Sequence, residues 1–104
     1  MRKIGIYLGI MSLFFLLAAQ GFAHTPLCSC WDNGDGTITC EGGFSDGSSA
    51  SGVKMYVKKD GKKIVSGKMN EFSEFTFDKP EGDYIVIFDA GEGHGIKVKG
   101  KDIY

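Results

Sequence analysis

Residues 53–68 read VKMYVKKDGKKIVSGK, and they decide the fold class of this chain. Met55 and Val57 alternate with polar or aromatic residues, which is the period-two pattern of a strand with one buried face. Asp60-Gly61 follows as a turn signal typical of a β-hairpin. The segment after the turn then returns as a second strand. The stretch therefore predicts an antiparallel hairpin.

Similar short apolar segments recur along the chain, without helical periodicity. Phe72, Phe75 and Phe77 are apolar positions of one predicted strand, and residues 84–88 form a continuous apolar run suited to a central strand. The predicted strands cover residues 28–31, 37–40, 53–58, 62–68, 72–77, 84–88 and a last segment that begins at Ile96. About seven short strands with turn signals between them predict an all-β fold, a small Ig-like antiparallel β-sandwich.

The N-terminus has the pattern of an export signal. Arg2 and Lys3 supply a positive start, and residues 4–19 are almost purely apolar. Gly21 and Ala23 then place small residues at the −3 and −1 positions of a cleavage site. The apolar run is shorter than the roughly 20 residues that a membrane-spanning helix needs. We expect a signal peptide cleaved after Ala23 and a periplasmic or secreted protein; the alternative is an uncleaved anchor in the inner membrane.

Cleavage leaves residues 24–104 as a single domain with a changed charge balance. Without Arg2 and Lys3 the chain has ten basic and 13 acidic side chains, a net charge of −3. This balance argues against a nucleic acid or an anionic membrane as partner, because both need clustered Lys and Arg. A domain of roughly 80 residues has a modest core and commonly needs a disulfide, a metal or a partner.

The three cysteines lie in an N-terminal hairpin predicted over residues 24–43. A dense turn signal at residues 32–36 separates two short strands. Pairing these strands around a five-residue loop sets Cys28 opposite Cys40. Because side chains alternate along a strand, Cys28, Cys30 and Cys40 then project from the same face of the hairpin.

Two interpretations of these cysteines stay open. The first is a disulfide from Cys40 to Cys28 or Cys30, with one spare thiol, since thiols outside the cytoplasm tend to be oxidised. The second is a thiolate cluster that, alone or with His24, binds a soft or borderline metal such as Zn, Ni or Cu(I).

The two histidines of the chain add nitrogen donors. Cleavage after Ala23 makes His24 the first residue, so its free α-amine and its imidazole close a chelate ring on one residue. His94 lies in a glycine-rich turn and offers a third nitrogen. Such nitrogen-rich ligand sets suit Cu(II) and Ni(II). The alternatives are a frayed terminus for His24 and an exposed loop residue for His94.

Five segments of residues 50–100 follow one another in a recognisable order. They are Gly52-Val53-Lys54-Met55-Tyr56-Val57, Asp60-Gly61-Lys62, Gly67, Phe75-Thr76-Phe77 and Pro80-Glu81-Gly82-Asp83-Tyr84-Ile85-Val86. This order of a strand, a Gly-Lys turn, an F-x-F strand and a Pro-x-Gly-x-Tyr strand resembles that of the carboxypeptidase-regulatory-like (transthyretin-like) β-sandwich domain. The chain departs from the family at Ser73-Glu74, where a glycine usually precedes the F-x-F strand. The resemblance implies a fold and says little about function.

A second, narrower resemblance concerns metals. The segment Asp89-Ala90-Gly91-Glu92-Gly93-His94 is similar to the A-G-x-G-H ending of small exported domains that accompany bacterial nickel and cobalt uptake systems. Those domains also tend to begin with histidine, as do periplasmic copper carriers with a histidine brace. The resemblance carries over only to His24 and His94, because the three cysteines are not part of that pattern.

Together these features predict a binding protein and no enzyme. The chain has no Ser-His-Asp arrangement, no phosphate loop and no paired-carboxylate site. We expect an exported accessory protein that binds nickel, cobalt, copper or zinc through His24, His94, Cys28, Cys30 and Cys40. A membrane metal-transport complex is its expected partner. The alternative is a structural or protein-interaction module whose cysteines only staple the N-terminal hairpin.

Overall fold

The computed structural model describes residues 25–91 and 95–104. These residues form seven β-strands and a short 3₁₀ turn, Gly100–Asp102. The strands are β1 (Pro26–Asp32), β2 (Thr37–Phe44), β3 (Lys54–Lys59), β4 (Lys62–Lys68), β5 (Glu74–Asp78), β6 (Ile85–Asp89) and β7 (Gly95–Lys99). The predicted signal peptide, His24 and His94 lie outside the described residues. No helix in the described ranges is long and apolar enough to span a membrane.

The strands build two antiparallel sheets, with the orders β1-β2-β5 and β4-β3-β6-β7. The predicted all-β antiparallel sandwich is therefore confirmed. β6 corresponds to the continuous apolar run and lies inside its sheet, between β3 and β7. At one side of the sandwich the backbone N–H of Asp32 donates to the carbonyl of Tyr104 at 2.9 Å, which links β1 to the end of the chain.

Most of the core consists of side chains at alternate strand positions that point between the two sheets. Because the side chains of a strand alternate between its faces, β2, β3 and β6 each contribute two fully buried residues at alternate positions, and β5 contributes one. The other three core residues, Ala50, Met69 and Tyr84, lie outside the strands. The buried apolar residues are Ile38, Cys40, Ala50, Met55, Val57, Met69, Phe77, Tyr84, Val86 and Phe88. Cysteine and methionine sulfur atoms thus form part of the core.

The hairpin predicted from residues 53–68 is present. β3 and β4 pair up to Lys59 and Lys62, which leaves Asp60 and Gly61 as a two-residue turn. Both turn residues have positive φ angles, 53° and 76°, as a turn that matches the twist of its strands requires. The Asp-Gly signal in the sequence was therefore sufficient to locate this turn.

Phe72 does not belong to a strand, contrary to the prediction. β5 begins at Glu74, and the Phe72 side chain is 70% exposed. The Asn70 side-chain oxygen accepts hydrogen bonds from the backbone N–H groups of Phe72 (2.8 Å) and Glu74 (3.0 Å). These bonds hold a turn in which Ser73 has a φ of 60°. Asparagine commonly stabilises turns in this way, in competition with strand pairing.

Folding separates the charges between the two sheets. The four-stranded sheet contains eight lysines, namely Lys54, Lys58, Lys59, Lys62, Lys63, Lys68, Lys97 and Lys99. The three-stranded sheet contains no lysine within its strands and four acidic residues, namely Asp32, Glu41, Glu74 and Asp78. The sequence argument against anionic partners assumed dispersed lysines. Since the fold gathers eight lysines on one sheet, a nucleic acid or an anionic membrane is no longer excluded as a partner by charge alone.

Candidate metal centre

The turn between β1 and β2 is held closed by its own side chains. The backbone N–H of Asn33 donates to the carbonyl of Thr37 at 3.0 Å, so strand pairing continues into the turn. The backbone N–H and the hydroxyl of Thr37 both donate to the Asp35 carboxylate, at 3.0 and 2.6 Å. Gly34 and Gly36 have positive φ angles of 77° and 92°, which glycine adopts without a steric penalty. This turn determines the register of the hairpin.

An ion pair ties the end of β1 to the segment after β5. The ammonium group of Lys79 donates to a carboxylate oxygen of Asp32 at 2.8 Å. This hydrogen bond, together with one from the backbone N–H of Gly34, lowers the pKa of Asp32. The same contact raises the pKa of Lys79. Both groups are therefore charged at neutral pH and hold the hairpin end in place.

The predicted register of the hairpin is wrong by two residues. Cys30 lies opposite Cys40, and Cys28 lies opposite Gly42. The cause is the position of the turn: Asp32, which the prediction placed in the loop, pairs with Ile38, so the turn is centred on Asp35 and not on Gly34. A shift of two residues keeps every side chain on its own face of the sheet, because side chains alternate with a period of two. The three cysteines therefore share the inner face, as predicted.

Cys30 and Cys40, which are ten positions apart in sequence, form a disulfide with an S–S distance of 2.01 Å. Their Cα atoms are 4.0 Å apart, since the two residues are direct partners in the β1–β2 pair. Cys40 is fully buried and Cys30 is partly buried against the core. The disulfide interpretation is thus confirmed, with Cys30 as the partner of Cys40.

Cys28 keeps a free thiol beside this bond. Its side chain is partly buried and packs against the core. Desolvation by this burial raises the pKa of Cys28 from 9.0 to about 11, because the thiolate loses water contacts. Cys28 and Gly42 contribute to the lining of a shallow surface depression of about 400 Å³ over β1 and β2.

The three Sγ atoms of Cys28, Cys30 and Cys40 all lie within 4.8 Å of one another. In the oxidised chain two of these sulfurs are bonded to each other, so only the Cys28 sulfur is a thiol. After reduction all three become available to one ion. The site is therefore a thiol next to a disulfide in one redox state and a three-sulfur cluster in the other.

The raised pKa of Cys28 predicts slow alkylation of the oxidised protein. At pH 8 a thiol with a pKa of about 11 carries roughly a hundredfold less thiolate than one at 9.0. We expect the rate of reaction with iodoacetamide, followed by mass spectrometry, to be lower by about that factor and to rise until about pH 11. A Cys28→Ser/Ser29→Cys variant is the control, because Ser29 is exposed on the same strand. Equal rates at pH 8 for the protein and this control would contradict the burial of the thiol.

Met69 is a sulfur-containing residue near the cysteine hairpin that the sequence did not identify as part of the site. Its Sδ atom lies 2.6 Å from the position that a Cβ atom would occupy at Gly42, the residue opposite Cys28. Met69 follows β4, far along the chain from the cysteines, and is only 3% exposed. No sequence motif links a lone methionine to a distant cysteine pair, so this proximity emerges only from the packing of the two sheets.

The nitrogen ligands of the predicted site, His24 and His94, lie outside the described residues. The N-terminal chelate and a ligand set shared with His94 therefore stay predictions. Of the five predicted metal ligands, the structure brings together Cys28, Cys30 and Cys40.

The chain matches no protein-family model, no curated protein and no solved structure. The resemblance of residues 50–100 to the carboxypeptidase-regulatory-like domain stays a prediction, as does the narrower resemblance to nickel and cobalt uptake accessories. The function must therefore be inferred from the geometry of the site.

Proposed function

We propose that this protein binds a soft transition-metal ion, Cu(I) in particular, through Cys28, Cys30 and Cys40 when the disulfide is reduced. The observation that supports this is the proximity of their three Sγ atoms: no distance between any two of them exceeds 4.8 Å. Bonds of about 2.3 Å from one ion to each sulfur place the sulfurs roughly 3.8–4.0 Å apart. The cluster therefore needs only small side-chain movements to close around an ion.

The ligand type favours copper over the other metals that the sequence suggested. Thiolates suit Cu(I) and Zn, whereas nitrogen-rich sets suit Cu(II) and Ni(II). Structural zinc sites are almost always four-coordinate, and this cluster supplies three thiolates. Nickel and cobalt binding would instead depend on His24 and His94, whose geometry is outside the described residues.

Reduction controls access to this site. A dithiol reductant converts the Cys30–Cys40 disulfide into two thiols and is itself oxidised to a disulfide, so electrons and protons balance. The ion then displaces the thiol protons, so binding strengthens as the pH rises. Oxidation closes the site again. The export signal pattern supports a role in metal handling outside the cytoplasm, as an accessory to a membrane metal-transport complex.

The alternative is a non-catalytic interaction module. Two observations favour it: the Cys30–Cys40 disulfide is formed, and the four-stranded sheet carries the lysines while the other sheet carries acidic residues. In this case the disulfide serves stability alone, and the charged sheet faces serve for contact with a partner.

Native mass spectrometry of the exported protein, with and without a dithiol reductant, tests the proposal. We expect the reduced protein to take up one Cu(I) per chain and the oxidised protein to take up none. In competition with a Cu(I) chelator, Cys28→Ser and Cys40→Ala should lower the Cu(I) affinity at least tenfold. Ser29→Ala is the matched control on the outer face of β1 and should leave it unchanged.

Two results would contradict the metal proposal. One is a reduced protein that shows no adduct with Cu(I), Zn, Ni or Co, which would favour the interaction module. The other is a Cu(I) affinity that the cysteine substitutions leave unchanged. The same spectra give the mass of the mature chain and so test whether it begins at His24.

A further inference from the structure

The side chain of Met69 occupies a space that exists because residue 42 is glycine. A Cβ atom at Gly42 would lie 2.6 Å from the Sδ atom and 3.0 Å from the methyl carbon of Met69. These separations are shorter than a carbon–sulfur contact permits. Any other residue at position 42 would therefore displace the methionine sulfur from the inner face of β2.

This space adjoins the three cysteines. Gly42 is the direct partner of Cys28 in the β1–β2 pair, and Cβ positions of such partners are about 4.5–5.5 Å apart. Cys40 lies two residues earlier on the same face of β2, at a distance of roughly 7 Å along the strand. With its Sδ atom 2.6 Å from the Cβ position at Gly42, the thioether of Met69 lies no more than about 8 Å from the Cβ atom of Cys28.

The backbone of Met69 is anchored independently of the cysteines. Its N–H donates to the carbonyl of Val53, and its carbonyl accepts from the N–H of Gly52, both at 2.9 Å. An unbranched side chain with several rotatable bonds can then adjust its sulfur by small changes of rotamer. The residue is well placed to move its Sδ atom toward an ion without moving the backbone.

We infer that Met69 supplies a fourth, thioether ligand to the ion held by the cysteines and makes the site selective for Cu(I) over Zn. This inference rests on the proposed function. A thioether is neutral and soft, so it adds a bond to Cu(I) at no cost in charge, whereas Zn gains little from it. Four sulfur ligands inside an apolar core also exclude water from the ion.

A Met69→Leu substitution tests the inference on the reduced full-length protein. Leucine conserves the volume and apolar character of the side chain, so folding should be retained. We expect the Cu(I) affinity to fall at least tenfold, as loss of even an outer-shell partner costs roughly 10- to 100-fold, while the Zn affinity changes less than twofold. Met55→Leu is the matched control, because Met55 is fully buried on β3 in the other sheet. This substitution should leave both affinities unchanged.

X-ray absorption spectroscopy of the Cu(I)-loaded proteins gives a second readout, which counts the sulfur ligands directly. We expect four sulfur neighbours in the wild type and three in Met69→Leu. If the wild type binds Cu(I) with three sulfurs, or if Met69→Leu binds like the wild type, the inference fails while the three-cysteine site stands. If the reduced wild type binds no metal, the proposed function itself fails.

Discussion

Replacing Phe88 with alanine is expected to lower the free energy of unfolding by about 3–5 kcal/mol. Phe88 is fully buried on β6, and its ring centroid lies 6.2 Å from that of Phe44 on the opposite sheet. Its ring edge also approaches Gly42, where a Cβ atom would lie 2.5 Å from it. The ring therefore joins the two sheets beside Gly42, and its removal leaves a cavity there.

The size of this effect matters because the domain is small. A domain of roughly 80 residues has a free energy of unfolding of about 4–12 kcal/mol, so the variant loses a large part of its stability. Urea unfolding followed by circular dichroism measures the change. Phe72→Ala is the control, since that ring is 70% exposed and its removal should change stability by less than about 0.5 kcal/mol. Similar losses for the two variants would show that Phe88 is not a core residue.

Loss of the Cys30–Cys40 disulfide is expected to lower the free energy of unfolding by about 2.5–3 kcal/mol. The bond closes a short loop, and cross-linking a loop of about ten residues reduces the entropy of the unfolded chain by this amount at room temperature. Reduction of the wild type and the Cys30→Ala/Cys40→Ala variant should both show the loss. The variant adds the cost of a small cavity, because Cys40 is fully buried.

Cys28→Ser provides the matched control for this experiment, because it removes a sulfur and leaves the disulfide in place. Its stability should change little when the disulfide is intact and should fall like that of the wild type on reduction. Addition of Cu(I) to the reduced wild type should restore stability, by about 2.7 kcal/mol at a free ion concentration of 100 Kd. A reduced protein as stable as the oxidised one would exclude the disulfide as a structural element.

Much of the fold was predictable from local patterns. The alternation of Met55 and Val57 with polar residues and the Asp60-Gly61 turn identified the β3–β4 hairpin, because these signals depend on neighbours in sequence. The apolar run at residues 84–88 identified an interior strand for the same reason. The common face of the three cysteines was also predictable, since it survives any register shift of two residues.

The choice between Cys28 and Cys30 as the disulfide partner was not predictable, because it depends on where the turn closes. The pairing of Asp32 with Ile38, which the hydrogen bond from Asn33 to Thr37 continues, centres the turn one residue later than the turn signal indicates. This position sets Cys30 against Cys40. Phe72 was misassigned because the Asn70 side chain competes with strand pairing.

The sequence by itself determined an all-β chain with a cysteine-bearing hairpin at its start, because alternation and turn chemistry are local properties. Tertiary structure alone decided the register that joins Cys30 to Cys40, the collection of lysines on one sheet, and the approach of Met69 to Gly42. Each of these depends on contacts between residues far apart in sequence or on the closure of a particular turn. The proximity of Met69 to the cysteine-bearing hairpin belongs to this second group, since it depends on the packing of the two sheets.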